Sequence, residues 1–275
     1  MKPARFDYIA ARSAEEALEA LRREGGNARV LAGGQSLMPM LNMRLARPAL
    51  VVDIMRIGAW RKIADEGSSL RIAAAVRQCE IEALPELRRL HPLLAAALPF
   101  VGHPQTRSRG TVCGSVAHAD PSAELPLILV ALGGRVHLRS QRRARSLPAA
   151  DFFAGTMATA REDDELIEAV SLPKARAGAG YAFREVARRH GDFAIVACAA
   201  VAEEKQTLLA VGGVADRPVA QALPRVGAGE LDDALDAFAW SLDARDDLHA
   251  SARYRRELVR RIGRATLEEA ERCRA

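Results

Sequence analysis

Two adjacent glycines, Gly33 and Gly34, directly follow the apolar run 28–32. A glycine pair at such a position indicates a tight turn or a point where another group approaches the backbone closely. Upstream, the capping-box sequence SAEE opens a segment with helical apolar spacing, which predicts a helix over 14–24. Apolar runs predict short strands over 28–32 and 49–54. The chain is therefore expected to begin with a β-α-β unit in which a glycine turn ends a strand.

A second segment also combines glycine with a hydroxyl residue. Gly110 and Gly114 bracket Thr111, Val112 and Cys113, ahead of a strand-like apolar piece. In such loops the backbone N–H groups can converge on an anion, and Ser or Thr hydroxyls add donors. Two loops of this kind suit a diphosphate and hence a dinucleotide, whereas the alternative is a pair of ordinary turns. Neither loop matches G-x-G-x-x-G or G-x-x-x-x-G-K-[ST], which disfavours Rossmann and P-loop chemistry.

The composition argues against several other classes of function. The chain has 275 residues and a net charge of +5, carried mainly by arginine. Arginine-rich segments at 139–146 and 253–264 indicate solvated faces rather than a nucleic-acid site, because aromatic residues make up only 4% of the chain. The four cysteines are scattered without C-x-x-C spacing, so no bound metal is expected. No apolar run is long enough to span a membrane and no secretory signal is recognisable, which predicts a cytoplasmic protein.

The rest of the chain predicts further strands and helices and, beyond a linker, a second domain of mixed type. Strands are expected at 69–76, 135–140, 166–173, 193–204 and 207–215, and helices within 78–98 and at 124–134, 229–242 and 249–272. Glycines interrupt the stretch 174–183, which is the best candidate for a linker. Strands followed by helices beyond this linker indicate an α+β domain.

Three stretches together resemble the FAD-binding subunit of molybdenum hydroxylases, the medium subunit in the carbon monoxide dehydrogenase and xanthine dehydrogenase family. They are AGGQSLMP at 32–39, RGTVCGSVAHADPSAELP at 109–126 and GGVADRPV at 212–219. The resemblance implies an α+β fold, with a vanillyl-alcohol-oxidase-type FAD-binding domain of two subdomains and a smaller α+β C-terminal domain. The implied bounds are 1–175 for the first domain, with subdomains of about 1–57 and 58–175, and 176–275 for the second.

The resemblance also implies which residues contact FAD. Residues 32–36 would form a first pyrophosphate loop and 111–114 a second, with Leu37 near the adenine or ribose. Glu124 would accept hydrogen bonds from hydroxyls of the ribityl chain or ribose. The full implied set is Leu31, Ala32, Gly33, Gly34, Gln35, Ser36, Leu37, Val101, Gly110, Thr111, Val112, Cys113, Gly114, Ser115, His118, Glu124, Leu166, Arg184 and Phe193. No metal ligand and no catalytic acid or base is expected in this chain.

Four of these positions leave alternatives open. Cys113 stands where the family usually has glycine, so it is either strained at a positive φ or tolerated as a small residue. His118 could instead be a structural histidine held by backbone hydrogen bonds. Arg184 stands where a family cation often neighbours the flavin, and it could instead form a surface ion pair. Phe193 stands where some relatives place a tyrosine, so it would either shield one flavin face or fill the core.

The implied function is electron transfer. Noncovalent FAD would take electrons from iron–sulfur clusters of a partner and pass them to an external acceptor, while substrate is oxidised at a molybdenum centre in another chain. The implied partners are a large molybdopterin-binding subunit and a small 2Fe-2S subunit, in a dimer of heterotrimers. The alternatives are a scaffold subunit without a working flavin and a stand-alone flavin oxidoreductase. The substrate of the complex and the acceptor, whether NAD, quinone or oxygen, stay open.

Overall fold

The computed structural model describes residues 1–224 and 228–274. The chain begins with three strands and two helices: β1 (Asp7–Ala10), α1 (Ala14–Glu24), β2 (Ala28–Leu31), α2 (Leu37–Asn42) and β3 (Leu50–Asp53). The strands form a parallel sheet in the order β1-β3-β2, and α1 packs against β2 and β3. Parallel strands place their carboxyl ends at the same end of the sheet. The turn at Gly33 and Gly34, which follows β2, therefore lies at that end.

A second, antiparallel sheet follows. Its strands are β4 (Ile63–Asp65), β5 (Ser69–Ala73), β6 (Arg135–Arg139), β7 (Ala144–Pro148) and β10 (Leu166–Pro173). They pair in the order β4-β5-β10-β6-β7. A small hairpin between β7 and β10 consists of β8 (Phe153–Gly155) and β9 (Ala158–Thr159).

The segment between β5 and β6 is helical and carries the second glycine-containing stretch. Its helices are α3 (Gln78–Glu82), α4 (Leu87–Leu90), α5 (Pro92–Ala97), α6 (Pro104–Arg107), α7 (Val112–His118) and α8 (Glu124–Ala131), and the short α9 (Ala149–Phe152) follows β7. Helix α7 packs against β5 and β10. Every residue of α8 is buried, which agrees with the buried helix that the sequence predicts.

The C-terminal part is a four-stranded antiparallel sheet with two helices. Its elements are β11 (Gly180–Val186), β12 (Val196–Ala202), β13 (Gln206–Gly212), β14 (Val219–Pro224), α10 (Ala228–Ser241) and α11 (Ala252–Arg272). Helix α11 packs against β11 and β12, whereas α5 and α8 reach the same sheet from the N-terminal part of the chain. All residues of β12 are buried, as expected for a strand that is covered on both faces.

Most predicted elements are present with shifts of a few residues, but two predictions are wrong. The apolar piece after Gly114 is not a strand, because it belongs to α7. The prediction of a linker over 174–183 is also wrong in its second half, because β11 begins at Gly180. A Cβ built on Gly180 would lie 1.8 Å from the carbonyl oxygen of Ala270. That glycine therefore marks close packing of a strand against α11 and not a flexible connection.

The strands that the sequence did not predict are mostly edge strands. Among the three larger sheets, β1, β4, β7 and β14 each lie at an edge, and the first three have no buried residue. An edge strand has fewer neighbours to pack against, so its sequence needs less of the apolar pattern on which strand prediction relies.

Arg255 joins α11 to the strand ends of the C-terminal sheet. Its Nη1 donates hydrogen bonds to the carbonyl oxygens of Ile195, at 2.6 Å, and Gly213, at 2.5 Å. Its Nη2 donates to Oδ2 of Asp247 at 2.5 Å, and the guanidinium is buried. A single side chain thus satisfies two backbone carbonyls and a carboxylate.

We expect Arg255→Met to lower the free energy of unfolding by about 3 kcal/mol, because charged hydrogen bonds to buried carbonyls are lost without replacement. Arg253→Met, at an exposed position in the first turn of the same helix, should change it by less than about 0.5 kcal/mol. Urea denaturation of the full chain measures both values. Equal stability of the two variants would contradict the structural role of Arg255.

Candidate functional site at the two glycine loops

The first loop (32–36) is in direct backbone contact with Arg109 and Gly110, which precede the predicted residues 111–114 and form a longer second loop (109–114) with them. A Cβ built on Gly33 would lie 2.2 Å from the carbonyl oxygen of Arg109 and 2.7 Å from the Cα of Gly110. Both distances are shorter than any contact a real Cβ makes, so only glycine fits at this position. The fold therefore brings the two loops to one place, although they are far apart in the sequence.

The first loop presents a run of backbone donors without acceptors. In the described part of the chain, the N–H groups of Gly33, Gly34, Gln35 and Ser36 have no hydrogen-bond acceptor. Gly34 has a left-handed conformation, with a φ of 74°, and Ser36 a right-handed one. Backbone N–H groups that converge in a turn form an anion-binding concavity. The first loop has the free donors for such a site, and Gly34 supplies a positive φ that favours a tight turn.

The second loop is held in place by side-chain and backbone hydrogen bonds. The N–H of Gln78 donates to the carbonyl oxygen of Gly110 at 2.8 Å. The hydroxyl oxygen of Thr111 accepts from the N–H of Gly114 at 3.0 Å and caps α7. A Cβ on Gly114 would lie 2.6 Å from that hydroxyl oxygen, so glycine leaves room for the cap.

The replacement of the usual family glycine by Cys113 causes no backbone strain. Cys113 is a residue of α7 and is not among the residues with positive φ. Its Sγ lies 3.5 Å from the carbonyl oxygen of Ile72, and burial raises the pKa of the thiol to about 12. The thiol is thus protonated and packed in the core. The Cys113 N–H, by contrast, has no acceptor among the described residues, so this position offers its amide to the site.

Glu124 is the first residue of α8 and is buried. Burial raises the pKa of its carboxyl group to about 7, and the negative charge of Asp120 contributes in the same direction. Both protonation states of Glu124 are therefore accessible near neutral pH.

The remaining predicted residues of the N-terminal part are spread over several elements. Leu31 ends β2, Leu37 begins α2, Val101 follows a 3-10 turn at 98–100, Ser115 and His118 lie in α7, and Leu166 begins β10. Val101 and Leu166 are buried, whereas His118 is half-buried.

The two predicted residues of the C-terminal part are placed differently from the loops. Arg184 pairs with Glu269 of α11, with Nη2 at 2.7 Å from Oε2, so the ion-pair alternative is the one found. This pairing holds the guanidinium on the face of the sheet that α11 covers. Phe193, in the connection between β11 and β12, is 65% exposed. It therefore does not fill the core, and its ring is free to cover a ligand.

Sequence reasoning missed two buried polar groups. Oε1 of Gln78 is buried without a partner in the described part of the chain, and it would lie 3.0 Å from a Cβ on Gly110 of the second loop. Oε2 of Glu185 in β11 is likewise buried without a partner. Burial, together with the charge of Glu124, raises the pKa of Glu185 to about 8. The one sequence signal for Glu185 is an acidic residue in a strand with buried apolar neighbours.

Three further observations concern other kinds of site. Within 1–224 and 228–274, no group of three or more His, Cys, Asp and Glu side chains is placed to hold a metal ion. In the same residues, no helix has both the length and the apolar character needed to cross a membrane. A cavity of about 490 Å³ lies apart from the loops, between the start of α1 and the second sheet, and none of the predicted site residues lines it.

The family model described as "FAD binding domain in molybdopterin dehydrogenase" matches residues 4–175, which include both loops. The chain belongs to this family. A second model, described as "CO dehydrogenase flavoprotein C-terminal domain", matches residues 181–270. The predicted fold class is confirmed: an FAD-binding domain is followed by a smaller α+β C-terminal domain.

Individual relatives agree with this family assignment. Subunit alpha of the 6-hydroxypseudooxynicotine dehydrogenase complex of Paenarthrobacter nicotinovorans is 35% identical, over 98% of this chain and 96% of that protein. A structure of carbon monoxide dehydrogenase from Hydrogenophaga pseudoflava matches with a TM-score of 0.94 and 31% identity, over 100% of both chains. A structure of quinoline 2-oxidoreductase from Pseudomonas putida 86 matches with a TM-score of 0.91 and 30% identity, over 99% of both chains. The predicted membership in the molybdenum hydroxylase flavoproteins, which are oxidoreductase subunits with FAD as cofactor, is confirmed.

We expect Gly33→Ala to push the two loops apart and to lower the free energy of unfolding by about 1–3 kcal/mol, the usual cost of overpacking. Gly58→Ala is the matched control, because a Cβ on the exposed Gly58 would meet nothing within 4 Å. Thermal and urea unfolding of both variants provide the comparison. If Gly33→Ala is as stable as Gly58→Ala, the loops are not in the close contact described.

Proposed function

We propose that this chain binds FAD noncovalently, with the diphosphate between the first and second loops, and serves as the electron-transfer subunit of a molybdenum hydroxylase complex. The observation that carries the proposal is the run of four backbone N–H groups without acceptors over 33–36, beside a second loop in which the Cys113 amide also lacks one. Each charge-assisted hydrogen bond from such donors to a phosphate oxygen contributes about 1.5–3 kcal/mol. The family assignment supports the same cofactor.

The side chains around the loops would bind and orient the rest of FAD. Glu124, buried at the start of α8, would accept hydrogen bonds from hydroxyls of the cofactor. The exposed ring of Phe193 would lie against the flavin and exclude water from one face. Arg184 is left out of the proposed site, because its guanidinium is paired with Glu269.

The electron-transfer role is supported by the redox chemistry of FAD and by a relative that is named as one subunit of a complex. When bound, FAD supplies redox chemistry in one-electron and two-electron steps, and the protein contributes position and electrostatics. The relative from P. nicotinovorans is named as one subunit of a dehydrogenase complex, which supports partners for this chain as well. We propose a large molybdopterin-binding subunit and a small 2Fe-2S subunit as these partners, in a dimer of heterotrimers and in the cytoplasm.

The domain limits and the place of substrate selection are part of the same proposal. The FAD-binding domain would cover 1–175, with subdomains of about 1–57 and 58–175, and the C-terminal domain 176–275. The short connection between β10 and β11 supports a boundary there. The similar proteins are named for a nicotine-derived compound, carbon monoxide and quinoline, which supports substrate selection by another subunit.

We expect Gly34→Ala to weaken FAD binding at least a hundredfold. An alanine at a φ of 74° is strained and its Cβ would lie 3.2 Å from Cγ of Met38, so the loop shifts. Two charge-assisted hydrogen bonds lost by that shift cost about 3–6 kcal/mol. Gly67→Ala is the control: Gly67 also has a positive φ, of 81°, but it has open space around it in the turn between β4 and β5. Both variants carry left-handed strain of about 1–2 kcal/mol, so only a difference in affinity reports on the site. FAD titration monitored by flavin fluorescence measures it, and unchanged affinity in folded Gly34→Ala would refute the diphosphate position.

We also expect the single chain to be an incomplete enzyme. Its bound flavin should be reduced by dithionite, as followed by loss of flavin absorbance, but no substrate of a molybdenum hydroxylase should reduce it. The reason is that, in this proposal, the substrate is oxidised at a molybdenum centre that belongs to another subunit. Aerobic and anaerobic spectra with aldehyde, purine and N-heterocycle substrates test this, and turnover by rigorously purified single chain would overturn the subunit assignment.

A further inference from the structure

Glu185 lies on the face of β11 that is turned toward the FAD-binding domain. Successive residues of a strand point to opposite faces of a sheet. The neighbouring Arg184 pairs with Glu269 of α11, so Glu185 points away from α11. On that side the charge of Glu124 at the start of α8 reaches the Glu185 carboxyl group. The side chain is therefore placed at the junction between the two domains, next to a residue of the proposed FAD site.

One oxygen of Glu185 is left without a partner by the protein itself. Its Oε2 is buried and makes no hydrogen bond within the described residues. Buried polar atoms are almost always hydrogen-bonded, because an unpaired one loses its interactions with water without compensation. An unpaired carboxyl oxygen beside a cofactor site is therefore a group that a bound ligand would satisfy.

The groups around Glu185 favour its neutral form. Helix α5, which packs against β11, has the sequence PLLAAA and carries no ionisable side chain. The paired strand β12 carries only Cys198, which lies opposite Arg184 in the ladder. Glu124 is the charged group that acts on Glu185, and Asp120 acts on Glu124 in turn. Burial and like charge raise the pKa of Glu185 to about 8 and that of Glu124 to about 7.

The two carboxyl groups can therefore take different roles. Because each negative charge disfavours the other, the pair loses its protons in two steps, and near neutral pH it keeps about one proton. A backbone N–H hydrogen bond at the start of α8 favours the charged form of Glu124, whereas no such group acts on Glu185, so Glu124 is the better carboxylate of the two. A carboxylate only accepts hydrogen bonds, whereas a carboxylic acid also donates one.

We propose that Glu185 is a further FAD-positioning residue, whose half-buried carboxylic acid donates a hydrogen bond to an acceptor atom of FAD while the Glu124 carboxylate accepts one from a cofactor hydroxyl. The inference rests on the proposed FAD site and extends it to a strand of the C-terminal domain. It has a measurable consequence. FAD binds the form with protonated Glu185, so ionisation of that side chain removes a donor, leaves a second negative charge and weakens binding.

The test is FAD titration of the full chain from about pH 6 to about pH 9, followed by flavin fluorescence. With a pKa of about 8, the protonated fraction of Glu185 falls about tenfold between pH 7 and pH 9, and the apparent Kd of the wild type should rise by the same factor. Glu185→Gln should match the wild type within about threefold at pH 6 and lack this rise, because the amide donates without titrating. Glu185→Ala should bind more weakly at every pH.

Glu268→Gln is the matched control, since it makes the same chemical change at a half-exposed position on α11. Its pH profile should follow the wild type, and any slope shared by all variants belongs to FAD, to the loops or to the titration of Glu124. Identical profiles for wild type and Glu185→Gln would overturn the role of Glu185 and leave the proposed function standing. Failure of the wild type to bind FAD at every pH would overturn the proposed function, and the inference with it.

Unfolding without FAD provides a second readout that does not depend on the cofactor. The pKa of Glu185 is raised in the folded chain from its ordinary 4.5 to about 8, so the folded state binds more protons than the unfolded state in that window. The stabilisation from its neutral form is complete below about pH 4.5 and is lost as the pH rises toward about 8. Glu185→Gln should remove this part of the pH dependence in urea denaturation. If it does not, Glu185 is not the neutral acid that the proposal requires.

Discussion

The arrangement of the site depends on the backbone contact between Gly33 and the carbonyl group of Arg109. It joins the carboxyl end of the parallel sheet to the helical segment that precedes β6, and no side chain stands between the two loops. Beside this contact, the N–H groups of Gly33 and the three residues that follow it have no acceptor in the described chain. A side chain at this position would meet the backbone of Arg109 and Gly110 and separate the loops. The absence of a Cβ on Gly33 is thus what allows the two loops to meet.

Helix α8 extends this arrangement to the C-terminal domain. It is apolar along its length except for Glu124 in its first turn, and it contacts both α7 and the C-terminal sheet. An apolar helix that is buried all round is stabilised by packing on every face, so the two domains share it as a common core element. The same burial keeps the Glu124 carboxyl group out of water and brings its charge within reach of Glu185. The proposed cofactor site therefore spans the domain junction.

The proposed binding through backbone groups would also let the site tolerate sequence change. The match to carbon monoxide dehydrogenase covers 100% of both chains with a TM-score of 0.94, although only 31% of the residues are identical. Cys113 illustrates the reason, because its side chain packs toward Ile72 in the core while its amide stays available at the loop. A site made of amides requires the backbone path and small residues at the contact points. It does not require particular side chains elsewhere.

Local sequence patterns determined the elements whose formation depends on near neighbours. The capped helix α1, the glycine turn after β2, the buried helix α8 and the central strands all carry a pattern within a few residues. The edge strands β1, β4 and β7 carry no such pattern. A short apolar run suits either a helix or a strand, which is why the strand prediction for the start of α7 is wrong. The resemblance of the loop motifs then indicated the cofactor, which neither charge nor composition could have done.

Tertiary structure decided which distant segments of the chain are in contact. The meeting of Gly33 with Arg109, the pairing of Arg184 with Glu269 and the approach of Glu124 to Glu185 each join segments that are distant in the sequence. In β11, neighbouring residues face opposite sides of the sheet, so the choice between Arg184 and Glu185 as a site residue depends on which face α11 covers. No local pattern contains that information, because it arises only when the sheet is packed between α11 and the FAD-binding domain.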